Sequence, residues 1–227
     1  MKILHDLLAL FFPRLCLLCG ELLVDGEKCL CLSCIYKLPR TNYHLRPFNP
    51  AEQLFTGKVE IEKATAYLHY EKGGKVQQLI YAIKYKGEKE AGFQLGRQAA
   101  LALHEKGFFE GIDLLLPVPL HSQRQKKRGY NQAEWIARGI ASVCLLPIEN
   151  KALARIRKTN TQTHKNVFDR WTNVQNIFSV KSEEPLIGKH VLVIDDVLTT
   201  GATIGACASC LSAIEGTRIS ILTLSIA

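Results

Sequence analysis

The chain has 227 residues, of which 47% are hydrophobic and 22% are charged, and its formal net charge is +8 at pH 7. This composition excludes collagen-like and disordered chains, and no segment reaches the ~20 uninterrupted apolar residues that a membrane-spanning helix needs. The length predicts one large domain, or one ordinary domain with a small appendage. A chain of this length can bury its own core, so its 8 cysteines do not indicate a disulfide scaffold.

The first predicted element is a short amphipathic helix within residues 1–12. Its apolar side chains recur at helical spacing, at Leu4, Leu7, Leu8 and Phe11. A signal peptide is the alternative, but polar residues interrupt the apolar stretch and no small-residue cleavage site follows it. The sequence therefore predicts a cytoplasmic protein with reduced thiols.

Two CxxC pairs follow, Cys16 with Cys19 and Cys31 with Cys34, and eleven residues separate them. Two such turns that face each other supply four thiolates in a tetrahedron, which is the geometry of a structural zinc site. An iron–sulfur centre would use the same ligands, and a set of ordinary free cysteines is the remaining alternative. Cys29 lies two residues before the second pair, and we expect it to be a spare thiol.

The rest of the chain predicts alternating strands and helices after a polar, proline-containing linker at residues 38–50. Apolar or alternating runs predict strands at residues 64–70, 113–118, 152–157, 191–194 and 218–225. Helical periodicity predicts helices at residues 76–85, 91–106, 131–144 and 202–214. This alternation is typical of an α/β fold, in which right-handed crossovers connect the strands of a parallel sheet.

The positive charge is concentrated in one part of the chain. Residues 111–180 contain 11 basic and 4 acidic residues, a local balance of +7. A charge run of this kind usually forms a solvated surface. The alternative is a binding face for phosphates, on a small molecule or on nucleic acid.

The string VLVIDDVLTTGAT, residues 191–203, predicts a ligand site. An apolar strand brings Asp195 and Asp196 to its carboxyl end, where open α/β sheets bind ligands. The Thr/Gly turn that follows offers backbone N–H groups and hydroxyls at a helix N-terminus, which suits a phosphate dianion. The carboxylates would repel a phosphate and instead suit ribose hydroxyls, so the string predicts a ribose 5-phosphate site. The alternative is a capped helix beside two solvated acids.

This string resembles the phosphoribosyl-pyrophosphate (PRPP) binding motif of type I phosphoribosyltransferases. The chain as a whole resembles the ComF family, which is associated with bacterial DNA uptake during competence. The segments that carry this resemblance are, in order, the paired CxxC knuckles, AYLHYEKGGKVQQLIYAIKYKGE, LLPVPLHSQRQKKRGYNQAEWIA, RIRKTNTQTHKNVFDRWTNVQNIF and VLVIDDVLTTGAT. They cover nearly the whole chain in the order that the family has them.

The resemblance implies a type I phosphoribosyltransferase-like parallel sheet with a small N-terminal zinc-ribbon-like module. Residues 1–46 would hold the first helix and the four-cysteine module, and residues 47–227 the phosphoribosyltransferase-like domain. Within that domain, the core strands would begin at about residue 111, with the strand and helices of residues 60–106 as a hood.

The resemblance also implies that the site binds PRPP or a related ribose 5-phosphate, with Mg²⁺ on the pyrophosphate. Asp195, Asp196 and Arg124 are the expected catalytic residues, with Arg124 in the loop after the first core strand. The polar segment near Gln162 and Thr163 would close over the ligand. The expected ligand-binding residues are Asp195, Asp196, Val197, Leu198, Thr199, Thr200, Gly201, Ala202, Thr203, His121, Arg157, Lys158 and Gln162.

Two functions follow from the resemblance. The first is a phosphoribosyltransferase, a transferase of the glycosyltransferase class, acting in DNA uptake or nucleotide metabolism on an acceptor that the sequence does not identify. The second is a non-enzymatic adaptor that handles single-stranded DNA and uses the pocket for sensing or for a 5′-phosphate. Tyr130 is the only aromatic residue between residues 111 and 134, which leaves few stacking partners for bases. Single-stranded DNA, a competence helicase and other DNA-processing proteins are the candidate partners.

Overall fold

The computed structural model describes residues 13–157 and 177–227. Its strands are β1 (Lys63–His69), β2 (Leu114–Pro117), β3 (Leu153–Arg155), β4 (Phe178–Val180), β5 (His190–Leu198) and β6 (Arg218–Ile226). Its helices are α1 (Leu32–Tyr36), α2 (Pro50–Gln53), α3 (Lys75–Tyr85), α4 (Lys89–His104), α5 (Ser122–Arg128), α6 (Gln132–Cys144) and α7 (Ala202–Leu211), with a 3-10 turn at Tyr43–Leu45.

The central sheet is parallel, and its strand order is β1-β6-β5-β2. Side chains alternate between its two faces, because successive residues of a strand point in opposite directions. In β5, Leu192 and Ile194 pack with α3, α4 and α6, whereas Val191 and Val193 pack with α7 on the other face. The sheet is therefore covered by helices on both faces, as expected for parallel strands with continuous apolar runs.

The register of the sheet places the two predicted acidic residues at its carboxyl edge. Pro117, the last residue of β2, lies opposite Ile194 of β5. Asp195 and Asp196 thus extend beyond the end of β2, while Asp195 still pairs with Thr223 of β6. The predicted α/β class, with a cysteine-rich segment before the sheet, is confirmed.

Helices α4 and α6 pack closely because glycines face each other at their crossing. A Cβ atom on Gly96 would lie 2.2 Å from the carbonyl oxygen of Ile136, and one on Gly139 would lie 2.0 Å from the carbonyl oxygen of Phe93. No side chain fits at either distance. The crossing therefore requires glycine at both positions and brings the two helices together over one face of the sheet.

We predict that Gly96→Ala and Gly139→Ala each lower the free energy of unfolding by about 1–3 kcal/mol, because the helices must move apart. Gly92→Ala is the matched control, since its Cβ would meet no atom closer than 3.7 Å and alanine is the better helix former by up to ~1 kcal/mol. Urea denaturation measures all three. Equal stability of Gly139→Ala and the wild type would contradict this account of the crossing.

Residues 60–106, predicted to form a hood, contribute a strand to the central sheet and helices that cover it. Strand β1 pairs with β6 along its whole length, from Lys63 opposite Ser220 to His69 opposite Ile226. Helix α4 packs on α6 and contributes to the same core. The beginning of the predicted linker also contacts the sheet, because the Thr41 N–H donates to the carbonyl oxygen of Tyr67 at 3.0 Å.

Two further predictions change in detail. The predicted strand at residues 152–157 is shorter, and it pairs antiparallel with β4 instead of joining the parallel sheet. The expected loop after β2 contains helix α5. The predicted helix in residues 1–12 lies outside the described residues. Within residues 13–157 and 177–227, no helix has the length and apolar character needed to cross a membrane.

Candidate functional site

The carboxyl edge of the parallel sheet opens into a cleft of about 980 Å³. That volume suits a small-molecule ligand. Its walls combine carboxylates, cations and tyrosines that come from β5, α3, α5 and β3. The polar and aromatic residues that line it include Tyr70, Tyr81, Lys84, Tyr85, Arg124, Lys127, Arg128, Arg155, Asp195, Asp196, Thr199 and Thr203.

The two carboxylates at the end of β5 have different partners. Asp195 accepts the backbone N–H of Asp196 on Oδ1 at 2.8 Å. Asp196 places Oδ1 2.9 Å from Nζ of Lys84, which comes from the last turn of α3. Its other oxygen, Oδ2, is buried and has no hydrogen-bond partner among the described residues. A buried acceptor without a donor costs stability, so a hydroxyl donor from a ligand would stabilise this oxygen.

The protonation of the pair reflects burial and mutual repulsion. Desolvation, followed by the negative charge of Asp196, raises the pKa of Asp195 to about 7, although the Asp196 N–H, Lys84 and Arg155 oppose the rise. Burial lowers the pKa of Lys84, but the carboxylates of Asp196 and Asp195 outweigh that effect and the net pKa is raised. Because the native state holds the Asp195 proton more tightly than the unfolded chain, Asp195 destabilises the fold progressively as the pH rises from about 4 to about 7.

The turn after β5 forms the start of α7. Gly201 adopts the left-handed conformation, with φ 76°, at the N-cap of this helix, a conformation that glycine reaches without steric cost. As a glycine, this N-cap residue has no side chain with which to cap the first turn of α7. The first N–H groups of a helix have no intrahelical acceptor, and such groups can bind an anion; here they lie beside Thr199 and Thr203, which line the cleft.

Helix α5 forms the basic wall of the cleft, through Arg124, Lys127 and Arg128. The guanidinium of Arg128 lies 5.7 Å from the ring centroid of Tyr85 and donates a hydrogen bond to the side chain of Gln132. The helix thus presents cations to the cleft beside an aromatic ring.

The tyrosines of α3 form a second feature of the cleft that the sequence analysis missed. The rings of Tyr81 and Tyr85 have centroids 5.0 Å apart with an interplanar angle of 44°, and the two residues are 54% and 68% exposed. Nζ of Lys86 lies 6.0 Å from the Tyr81 centroid. Exposed, paired aromatic rings among cations are typical of surfaces on which nucleobases stack.

The structure brings six of the predicted site residues to the cleft, namely Asp195, Asp196, Val197, Thr199, Thr203 and Arg124. Other predicted residues support the turn instead: Leu198 and Ala202 are buried beneath it, and Gly201 is the N-cap between Thr200 and α7. Lys158, Gln162 and Thr163 lie outside the described residues, as does the polar segment predicted to close over the ligand.

Two predicted residues do not line the cleft. His121 is the N-cap of α5, and its ring Nδ1 accepts the N–H of Gln123 at 3.3 Å. Arg157 is exposed beyond the end of β3, and Arg155, the last residue of that strand, lines the cleft in its place. The backbone explains the difference, because the strand ends at Arg155.

Lys84, Tyr81 and Tyr85 carried a signal that sequence reasoning could have used. They lie three and four residues apart on a predicted amphipathic helix, so they share one side of it. The apolar stripe of the same helix, which includes the buried Leu79 and Ile83, fixes the face toward the core. A lysine between two tyrosines next to that stripe marks a polar, aromatic face that the apolar periodicity alone does not explain.

The cysteines form a separate cluster that fits a metal ion. The Sγ atoms of Cys16, Cys19, Cys31 and Cys34 all lie within 4.8 Å of one another, and Cys19 and Cys31 are 3.7 Å apart. Four thiolates around a tetrahedral ion require sulfurs about 3.8 Å apart. Cys29, which was predicted to be a spare thiol, is buried outside this group.

Backbone donors prepare the cluster for a cation. The Cys31 N–H donates to Sγ of Cys16, and the Cys34 N–H donates to Sγ of Cys31, both at 3.4 Å. Burial raises the pKa of Cys16, but N–H donors from Cys19, Cys31 and Leu18 outweigh it and lower the pKa to about 6. In contrast, burial and the nearby negative charges of Glu90 and Glu88 raise the pKa of Cys29 to about 12. Burial and the neighbouring thiols of Cys19, Cys31 and Cys16 also raise the pKa of Cys34 to about 12. The positions of the sulfur atoms therefore separate the four-cysteine set from Cys29.

No family model matches the chain. The DNA utilization protein YhgH of Salmonella typhimurium is 30% identical over 136 residues, which is 59% of each chain. The protein of the same name from Escherichia coli (strain K12) is 27% identical over 216 residues, 88% of this chain and 91% of the relative. Competence protein F of Haemophilus influenzae is 33% identical over 132 residues, 56% of this chain and 57% of the relative.

The chain is also similar to solved structures of low identity. The allosteric regulatory enzyme of purine biosynthesis aligns with 60% of this chain over 26% of its own length, at 22% identity and a TM-score of 0.39. A hypoxanthine phosphoribosyltransferase from Staphylococcus aureus aligns with 60% of this chain over 62% of its own length, at 16% identity and a TM-score of 0.36. Scores this low carry no argument about function. The names of these relatives, and a match that spans most of the chain's length, support the resemblance to the ComF family.

Proposed function

We propose that this cleft binds PRPP, or a related ribose 5-phosphate, with Mg²⁺, and that the chain acts as a phosphoribosyltransferase-type protein in bacterial DNA uptake or nucleotide metabolism. The observation that carries the proposal is the end of β5. There, a buried carboxylate oxygen without a donor among the described residues lies a few residues before a helix whose N-cap is a glycine and whose first turn borders the same cleft. One element thus offers acceptors for sugar hydroxyls and donors for a phosphate.

In this proposal each end of the sugar has its own partners. Asp195 and Asp196 accept hydrogen bonds from the ribose hydroxyls, which satisfies Oδ2 of Asp196. The 5′-phosphate binds the first N–H groups of α7 and the hydroxyls of Thr199 and Thr203. Because the acids and the turn are consecutive in sequence, the spacing between the two subsites is fixed by the backbone.

The pyrophosphate binds on the side of α5, where Arg124 and Lys127 supply positive charge. Mg²⁺ usually reaches such sites on substrate phosphates and keeps several of its waters. The residues fit that mode, because Oδ1 of Asp196 already faces Lys84 and the cleft has no cage of free carboxylates among the described residues. When bound, Mg²⁺ neutralises charge on the leaving pyrophosphate, while the carboxylates lie beside the ribose, where positive charge develops.

We predict that substitutions at the two ends of the turn separate sugar from phosphate binding. Asp195→Asn and Asp196→Asn should lower the affinity for PRPP by about tenfold to a hundredfold, because each removes a hydrogen bond to a charged group. The affinity for sulfate should stay unchanged or rise slightly. Thr199→Val removes a donor and Gly201→Val places a side chain in the phosphate seat, so both variants should lose both ligands. Calorimetric titration with PRPP and with sulfate measures these affinities.

The same titrations can overturn the proposal. If the aspartate variants lose sulfate as readily as PRPP, the acids do not act on the sugar. If Gly201→Val binds both ligands normally, the turn is only a helix cap. Incubation of the wild type with labelled PRPP, Mg²⁺ and trial acceptors then separates an enzyme, which releases pyrophosphate, from a sensor, which binds saturably without release.

The four-cysteine cluster holds a structural zinc ion in this proposal. Zinc is redox-silent, accepts four thiolates and prefers a tetrahedron, and the sulfur distances fit that geometry. Because the segment before β1 is too small to bury a large core, metal binding would supply part of its folding energy.

Purified protein should therefore contain about one zinc per chain, as expected of one four-thiolate site. Cys16→Ser and Cys34→Ser should release the metal and increase hydrogen exchange in the cysteine-rich segment, whereas Cys29→Ser should retain it. Elemental analysis by mass spectrometry measures the zinc content. Equal loss from Cys29→Ser would show that the ligand assignment is wrong.

A second candidate function, the handling of single-stranded DNA, is favoured by one specific observation. The Tyr81–Tyr85 pair lies in the same cleft as the cations of α5, so stacking partners come from a part of the chain outside the basic stretch. Tyr130, the only aromatic residue between residues 111 and 134, donates a hydrogen bond from its hydroxyl to the carbonyl oxygen of Ile83 and links the end of α5 to α3. Stacking contributes about 1–3 kcal/mol per base.

If DNA binds here, affinity should fall steeply with ionic strength. Replacing Lys126, Lys127 and Arg128 by Gln should flatten that slope, because fewer counterions are released. Tyr81→Ala and Tyr85→Ala should weaken binding by a similar factor at every salt concentration and leave the slope unchanged. Fluorescence anisotropy with labelled oligothymidylate measures both effects. If the triple variant keeps the salt dependence of the wild type, any DNA site lies elsewhere on the protein.

A further inference from the structure

The proposed ribose subsite contains a cation supplied by the protein. Nζ of Lys84 lies 2.9 Å from Oδ1 of Asp196, and the two side chains are only 24% and 5% exposed. Lys84 comes from α3, which packs on the sheet through Leu79 and Ile83. The packing of that helix therefore fixes the position of the ammonium group beside the carboxylates.

The ion pair leaves one acceptor of Asp196 unused. Buried ion pairs are normally stabilised by further hydrogen bonds to their remaining atoms, because taking both charges out of water is costly. Here Oδ2 is buried and has no partner among the described residues. A contact that served only the fold would be expected to satisfy both oxygens, so this arrangement is better explained by a site that holds one oxygen and leaves the other to a ligand.

The charge balance points in the same direction. Asp195 and Asp196 are adjacent, and two carboxylates this close disfavour joint ionisation unless a cation balances them. A divalent cation bound beside the two carboxylates would be one way to supply the balancing positive charge. In this cleft Lys84 supplies it, and Arg155 also acts favourably on the Asp195 carboxylate.

We propose that Lys84 is a positioning residue that takes the place of a divalent cation at the ribose subsite. The cleft then binds 5′-phosphorylated ribosides that lack a pyrophosphate, such as ribose 5-phosphate or a nucleoside 5′-monophosphate, without any metal. Mg²⁺ is needed only for the pyrophosphate of PRPP. This inference rests on the proposed function, because it assumes that the carboxylates accept ribose hydroxyls.

The test compares ribose 5-phosphate binding in EDTA and in millimolar Mg²⁺, by calorimetric titration. Wild-type affinity should agree within about twofold between the two conditions. Lys84→Met should bind about tenfold or more weakly in EDTA, the loss expected when a charged hydrogen-bond partner is removed. It should recover at least part of that loss when Mg²⁺ or Mn²⁺ is added.

Three further variants separate position from charge and from folding. Lys84→Arg should keep the metal independence of the wild type. Lys75→Met removes the same charge from an exposed site on the same helix and should bind like the wild type in both conditions. The double variant Lys84→Met with Asp196→Asn should bind weakly and gain nothing from a cation, because the second carboxylate is gone. Thermal unfolding of each variant establishes that it is folded.

The outcomes distinguish this inference from the proposed function. If the wild type binds ribose 5-phosphate only with a divalent ion, or if Lys84→Met binds it equally well in EDTA, Lys84 does not replace a cation. If Lys84→Met does not fold, the wild-type comparison and Lys84→Arg still decide the question. If the wild type binds neither ribose 5-phosphate nor PRPP under any condition, the proposed function itself fails.

Discussion

Two adjacent carboxylates near the carboxyl end of a parallel strand, of which Asp196 is buried, are the constraint on which the rest of this structure depends. Removing such charges from water costs several kcal/mol per ion unless partners compensate. Lys84 compensates Asp196 at 2.9 Å, which requires α3 to pack over the carboxyl edge of the sheet. Tyr130 in turn links α3 to the end of α5. The packing that balances one pair of acids thus also positions the helices that form both walls of the cleft.

The same arrangement would allow one cleft to serve both proposed functions. A ribose phosphate end needs the acids and the α7 N-terminus, and a polynucleotide needs cations and stacking surfaces. The acids and the α7 turn line the inner part of the site, whereas the exposed Tyr81 and Tyr85 contribute aromatic surface beside α5. A nucleotide presents sugar, phosphate and base together, so it can use all of these groups.

Local sequence predicted the centre of the site and missed its periphery. Residues 191–203 predicted strand, turn and helix correctly, because an apolar run, two acids and a Thr/Gly turn are encoded within one segment. The pairing of β1 with β6 joins residues about 150 positions apart, and no local pattern specifies it. Arg157 was predicted where Arg155 lies, because the strand ends two residues earlier than its polarity suggested. Lys84 was missed because its partner, Asp196, is brought to it only by the packing of α3.

The most direct test of the central claim is the titration of Asp195, followed by carboxyl ¹³C NMR and assigned with the Asp195→Asn variant. The account predicts a midpoint near pH 7 in the free protein, well above the ordinary value of about 4. Ribose 5-phosphate should lower that midpoint, because hydroxyl donors stabilise the ionised carboxylate. A midpoint near 4 that does not change with the ligand would contradict the claim that these buried acids are held ready to accept a sugar.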